Sequence, residues 1–200
     1  MEANSNYLQR MKIHQPTELI EDANVALQML KDGNERYLNG ESIHKPNYSA
    51  DRAALSTGQE PFAVILTCSD SRVAPEIFFD QRLGDIFIIR NAGNIADKTA
   101  LGSLEFAVAH LKCKLVVVCG HSQCGAVTAA CSNSEHPPNI KHIIEYIKPA
   151  VEKGGDVEKV VHHNVEIMVE HIKADESIKN LGVMIVGAYY DITSGVVTWP

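Results

Sequence analysis

Two short segments, Cys68-Ser-Asp70-Ser-Arg72 and His121-Ser-Gln-Cys124, each stand at the end of an apolar run. Together they hold two thiols, one imidazole, one carboxylate and one guanidinium. Thiolate and imidazole are ligands that zinc prefers, and a catalytic zinc keeps three protein ligands and an open fourth position. Cys68, His121 and Cys124 make such a set, with water or hydroxide as the expected fourth ligand. Water held in this way ionises at a pH of ~7 instead of ~15.7, which makes hydroxide available at neutral pH. Two thiolates donate more charge than imidazoles would, so this water is expected to be a weaker acid than one held by three histidines. Asp70, two residues from Cys68, can either hydrogen-bond that water or bind the metal itself. Arg72 can hold Asp70 in a bidentate ion pair and so decide between those options.

Each residue type alone has an ordinary explanation. A lone Cys after a strand is more often a small buried hydrophobe than a ligand, and His-x-x-Cys is weak evidence by itself. The chain carries its own control in His110-Leu-Lys-Cys113, which has the same spacing but precedes a strand instead of following one. That pair reads as structural, with Cys113 near the core and His110 on a helix flank. Cys119 reads as core, Cys131 as a helix end, and the adjacent His162 and His163 as surface or interface residues. The joint occurrence of strand-end position, soft ligands and an Asp–Arg partner sets the first constellation apart.

The surrounding pattern must bring the two segments together. Phe62–Thr67, Asp85–Arg90, Leu115–Cys119 and Val183–Tyr190 are short continuous apolar runs, as expected of strands buried on both faces. A short strand, Gly195–Trp199, follows a turn at Asp191–Ser194. Helical periodicity covers Thr17–Leu38, with Leu19, Ile20, Ala23, Leu27, Leu30 and Tyr37 as its stripe. Pro16 is a start signal, and Gly33 and Gly40 are expected interruptions. Further helices are read over Asp51–Ser56, Ala100–Leu111, Cys124–Cys131, Ile140–Val151 and Val157–His171. Strands alternating with helices imply an α/β fold. Its sheet should hold about four parallel strands and an antiparallel edge strand, flanked by helices, with an N-terminal helical arm. In such sheets, sites form beyond the carboxyl ends of the strands. Cys68 and His121 both belong there, with Gly120 expected to let the backbone turn sharply before His121.

Bulk properties narrow the function. The 200 residues suit one domain over 1–200, of which about 1–40 form the arm. A formal charge of −7 argues against nucleic acid or an anionic membrane as the main partner. The chain has no apolar run of the roughly 20 residues needed to cross a bilayer, and its start has no secretory pattern. Five cysteines without framework spacing fit a reducing, cytoplasmic setting in which thiols serve as ligands.

Cys68-Ser-Asp-Ser-Arg72-Val and His121-Ser-Gln-Cys124-Gly resemble the β-class carbonic anhydrases. The likeness extends to Arg90-Asn-Ala-Gly-Asn94, Gly102-Ser-Leu-Glu-Phe-Ala107 and Val186-Gly-Ala-Tyr-Tyr-Asp191, spanning about Asp32 to Trp199. It implies a zinc enzyme, one Zn2+ per chain, that reversibly hydrates CO2 to bicarbonate and a proton. By this resemblance Cys68, His121 and Cys124 bind zinc, and Asp70 and Arg72 form a catalytic dyad. Asp70 takes the fourth zinc position in the closed form that some members adopt. Gln59 matches the glutamine of the subgroup with an accessible site. Phe87, Ala92 and Phe106 match apolar substrate-pocket positions, with Ala92 and Phe106 departing from the Val and Tyr of some members. Phe106 is expected to reach across a dimer interface, and Gly125 to let the backbone come close to substrate. The family implies a homodimer or a dimer-based larger homo-oligomer, with N-terminal helices wrapping the partner.

Three other readings stand beside it. Gly120-His-Ser-Gln-Cys124 approaches a nucleophile elbow, but its last position is Cys and its His adjoins the Ser. Cys68 and Cys124 could serve a non-catalytic zinc or redox module. The same fold and metal could instead hydrolyse carbonyl sulfide or carbon disulfide.

Overall fold

The computed structural model describes residues 19–43 and 48–200. A helix α1 (Ala23–Leu38) is followed by α2 (Tyr48–Ala54), β1 (Ala63–Cys68), a single turn α3 (Pro75–Phe78) and β2 (Ile86–Asn91). After a 3-10 turn at Ala92–Asn94 come α4 (Lys98–Glu105), a π-helical turn at Phe106–His110 and β3 (Leu115–His121). The chain continues through α5 (Gly125–Cys131), α6 (Pro138–Glu152), α7 (Val157–Ala174), β4 (Met184–Tyr190) and β5 (Val197–Thr198). The strand order is β2-β1-β3-β4-β5, with every pairing parallel except that of β4 with β5. The expected sheet is therefore present.

Both faces of this sheet are covered, which explains its unbroken apolar strands. Val64, Leu66, Val116 and Val118 pack on one face against Val160, Val161, Val165 and Met168 of α7. Ala63, Ile65, Leu115 and Val117 pack on the other against Ala26 and Leu30 of α1 and Phe78 of α3. The short α3 escapes a periodicity argument because one turn shows no period.

Three details depart from the sequence reading. Helix α1 begins after the Asp22 side chain accepts from the Asn24 N–H, six residues beyond the Pro16 start, which lies outside the described residues. Gly33 does not interrupt this helix but sits buried inside it, because a Cβ there would come within 1.7 Å of the Phe79 carbonyl oxygen. Gly120 does not make a turn either. It lies inside β3, and a Cβ there would meet Val165 and Val161 at 2.7 and 2.9 Å, so glycine lets α7 lie close to the sheet. Gly33→Ala is accordingly expected to cost about 2 kcal/mol and to lower the thermal midpoint by roughly 5 °C. An unchanged melting curve would show that α1 can shift freely.

Asn34, next to Gly33, ties the layers together. Its Nδ2 donates to the Phe78 and Gly195 carbonyls, both at 2.9 Å, and its Oδ1 accepts the Val197 N–H at 3.0 Å. Leu30, within the helical stripe, and Ala26, outside it, are fully buried in this chain's own core, whereas Leu19 of the stripe, Val25 and Leu38 are exposed.

Candidate metal centre

Because β1 pairs directly with β3 in parallel, the carboxyl ends of both strands lie side by side. Cys68 is the last residue of β1 and His121 the last of β3, each one step inside the strand rather than beyond it. Cys124 follows a tight bend in which Gln123 has φ 56°, a left-handed conformation uncommon for a residue with a side chain. It then precedes α5 at the N-cap position. One ligand atom from each of Cys68, His121 and Cys124 lies within 4.8 Å of the others, and all three residues are buried. No other such group of three occurs among the described residues.

The protonation pattern suits a cation. His121 Nδ1 lies 2.8 Å from the Ser122 carbonyl oxygen, which can only accept, so Nδ1 carries the proton. Nε2 is left with a free lone pair, buried and without a hydrogen-bond partner. A buried imidazole nitrogen in that state is expensive unless something electrophilic binds it. Two sulfurs this close share a proton unequally. The neighbouring Cys124 thiol holds the Cys68 thiol well below the usual thiol range, against the opposing effect of burial. The Gly93 and Asp70 N–H groups also favour the Cys68 thiolate. Cys124 is pushed up, first by the neighbouring Cys68 and then by burial. A divalent cation with a preference for sulfur would take the proton's place between them, and the donor set fits zinc.

Asp70 is not part of this group. Arg72 Nε and the Arg72 N–H reach Asp70 Oδ1 at 2.9 and 3.0 Å, and Arg72 Nη2 reaches Oδ2 at 2.8 Å. Both carboxylate oxygens are thus held by the arginine fork. The Arg72 hydrogen bonds keep the Asp70 carboxyl well below the usual carboxylate range, with smaller help from the charge of Arg72. Arg72 itself is half exposed and leans toward the Gln123 carbonyl at 3.4 Å. Arg90 was unassigned in the sequence reading, yet its Nε donates to the Cys68 carbonyl at 3.2 Å and its Nη2 to the Asp70 carbonyl at 2.8 Å. A charged residue ending an otherwise apolar strand was the available signal. Gly93 was also missed: its N–H donates to Cys68 Sγ at 3.4 Å.

The expected substrate-pocket residues fall into two groups. Ala92 adjoins Gly93, and Gly125 adjoins Cys124, with open space where a Gly125 Cβ would stand. Gln59, Phe87 and Phe106 lie elsewhere in the chain. Phe87 pairs with Val64, four positions before Cys68, or about 13 Å back along the strand. Phe106 packs against Phe87 with ring centroids 6.4 Å apart, and Gln59 is exposed in the segment leading into the far end of β1. The decoy pair behaves as expected. The Cys113 thiol donates to the Pro61 carbonyl at 3.0 Å, and burial pushes its pKa up to about 12, while His110 is exposed against Phe106.

Comparison with known proteins agrees with this geometry. Residues 63–197 match the family described as carbonic anhydrase. The chain is 41% identical over 185 residues to carbonic anhydrase 2 of Mycobacterium tuberculosis, covering 85% of this chain and 89% of that one. It is 31% identical over 163 residues to a carbonic anhydrase of Pseudomonas aeruginosa, covering 71% and 74%. Among solved structures, a tetrameric β-carbonic anhydrase from Sordaria macrospora superposes with a TM-score of 0.68 at 26% identity, covering 88% of this chain and 96% of that one. The chain belongs to the β-class carbonic anhydrases.

Proposed function

We propose that this chain is a zinc enzyme that reversibly hydrates CO2 to bicarbonate and a proton. The observation that carries the reading is the buried Cys68–His121–Cys124 group with its unpartnered imidazole nitrogen. When bound, zinc supplies the Lewis acidity that makes water a nucleophile at neutral pH. Cys68, His121 and Cys124 would hold the metal, and the Ser122 carbonyl fixes the His121 tautomer. Asp70 is ionised throughout the working range and offers only acceptor lone pairs, so it orients a water by taking its hydrogen bond. Arg72 holds both oxygens of that carboxylate, which favours the open form of the site.

The substrate has no net charge or dipole, so an apolar wall of Phe87, Ala92 and Phe106 need offer it no strong hydrogen bond. Gln59 would donate its amide to an oxygen of CO2 or bicarbonate, and the backbone at Gly125 would lie open to it. Phe106 is an exposed aromatic and β2 is an edge strand, which supports Gln59, Phe87 and Phe106 acting across a homodimer interface. Dimers could pair into larger assemblies. Among the described residues no helix is long and apolar enough to cross a membrane, and the five free thiols support a cytoplasmic setting.

Stopped-flow CO2 hydration with zinc analysis on the same sample tests this reading. About one zinc per chain and a rate that rises between pH ~6 and ~9 are expected. A flat profile would show that water ionisation does not control the rate. Faster turnover of carbonyl sulfide or carbon disulfide than of CO2 would reassign the substrate.

A further inference from the structure

Helix α7 carries one polar residue on its buried face. Asn164 is fully buried and sits between Val160, Val161, Val165 and Met168. Packing does not require an amide here, since a hydrophobe would fill the same seam. The side chain has one partner: Asn164 Nδ2 donates to the Gly93 carbonyl at 2.9 Å. That carbonyl can only accept, so the amide is oriented with its NH2 toward Gly93. Asn164 Oδ1 and the buried Asn94 Nδ2 are left without hydrogen-bond partners.

Gly93 has a second attachment, because its N–H donates to Cys68 Sγ. The turn that presents this N–H is not one a chain adopts unaided. Gly93 and Asn94 have φ values of 78° and 45°, two left-handed residues in succession. Surrounding structure holds the turn in place. Asn91 closes it locally through the Ile95 N–H and carbonyl at 2.8 and 2.7 Å. One helical turn beyond Asn164, Met168 Sδ accepts the Ala96 N–H at 3.2 Å. Helix α7 therefore grips the turn at both ends, and the end nearer the metal centre is gripped by Asn164.

We propose that Asn164 is a positioning residue of the metal centre: by fixing the Gly93 peptide it keeps the Gly93 N–H on the Cys68 thiolate. The inference rests on the zinc reading above. An N–H bond draws charge from a thiolate, making it a weaker donor and leaving the bound metal more electrophilic. Without the Asn164 amide the turn loses its hold and Cys68 becomes a richer donor.

Substituting Co(II) for zinc gives a direct readout, because the thiolate-to-Co(II) charge-transfer band reports the electron richness of the sulfur. In Asn164→Ala, and in the isosteric Asn164→Asp, which sets an oxygen against the Gly93 carbonyl, the band is expected at longer wavelength than in wild type. Val160→Ala, a truncation one helical turn before Asn164 on the same buried face, should leave the band where it is. A folded Asn164→Ala with the wild-type band overturns the role of Asn164 alone, and Asn164→Asp is read the same way if the Ala variant does not fold. A wild-type protein that binds Co(II) without any such band overturns the metal centre, and this inference with it.

Discussion

Cys68→Ala is expected to carry almost no zinc and to hydrate CO2 at least about a thousandfold more slowly than the wild-type protein. The metal's Lewis acidity is worth several kcal/mol of transition-state stabilisation, and each 1.4 kcal/mol is about tenfold in rate. The loss should be sharper than at an isolated ligand because Cys68 connects most of the site. Its sulfur accepts from Gly93 and lies beside Cys124. The fold should survive the change, since Cys68 is one small side chain at the end of a strand whose other five residues stay buried. Zinc content by elemental analysis, the hydration rate and a far-UV spectrum on one preparation check the expectation. A folded, metal-free variant that kept its activity would exclude zinc catalysis. Cys113→Ala is the matched control, with an equally buried thiol bonded only to the Pro61 carbonyl, and should keep both metal and rate.

What the sequence could and could not reveal follows from the range of the forces involved. Strands buried on both faces are written as continuous apolar runs, so β1, β2, β3 and β4 were readable within a residue or two. Parallel neighbours joined by helices then placed Cys68 and His121 at one sheet edge, which distinguished them from His110 and Cys113. Gly33 and Gly120 were misread as breaks because glycine has two uses, and only the second applied here. It admits a left-handed turn, and it also lets two backbones approach closely, which depends on a distant element that local pattern does not show. The same holds for Asn164, whose effect on Cys68 runs through two hydrogen bonds and the Gly93 backbone. Gln59, Phe87 and Phe106 were assigned to a substrate pocket by likeness, while the register sets Phe87 far along the strand from Cys68, with Phe106 packed against it.

Asp70→Asn should separate metal binding from turnover. The three ligand atoms do not include Asp70, so zinc content is expected to stay near one per chain. The carboxylate does two things that an amide cannot do together: it receives three donors from Arg72 and still presents lone pairs to a water. An asparagine offers one oxygen, and its NH2 would face the guanidinium donor to donor. Arg72 would then swing toward solvent, where it is already half exposed. The expected result is a fall in kcat of roughly a hundredfold, the lower range for a positioned proton acceptor. Equal loss of zinc and activity would mean that Asp70 serves chiefly as a ligand, and unchanged activity would remove it from the reaction. The pH profile adds a sign to the test. Arg72 holds the Asp70 carboxyl far below the usual range, so in the wild type Asp70 stays ionised and contributes no acid limb near neutrality. The pair's contribution to stability is present above the ordinary carboxylate pKa and is lost only as pH falls through the depressed folded value. Arg72→Ala removes the main cause of that depression. Asp70 should then titrate at a higher pH and be free to approach the metal, so activity should fail on the acid side earlier than in wild type.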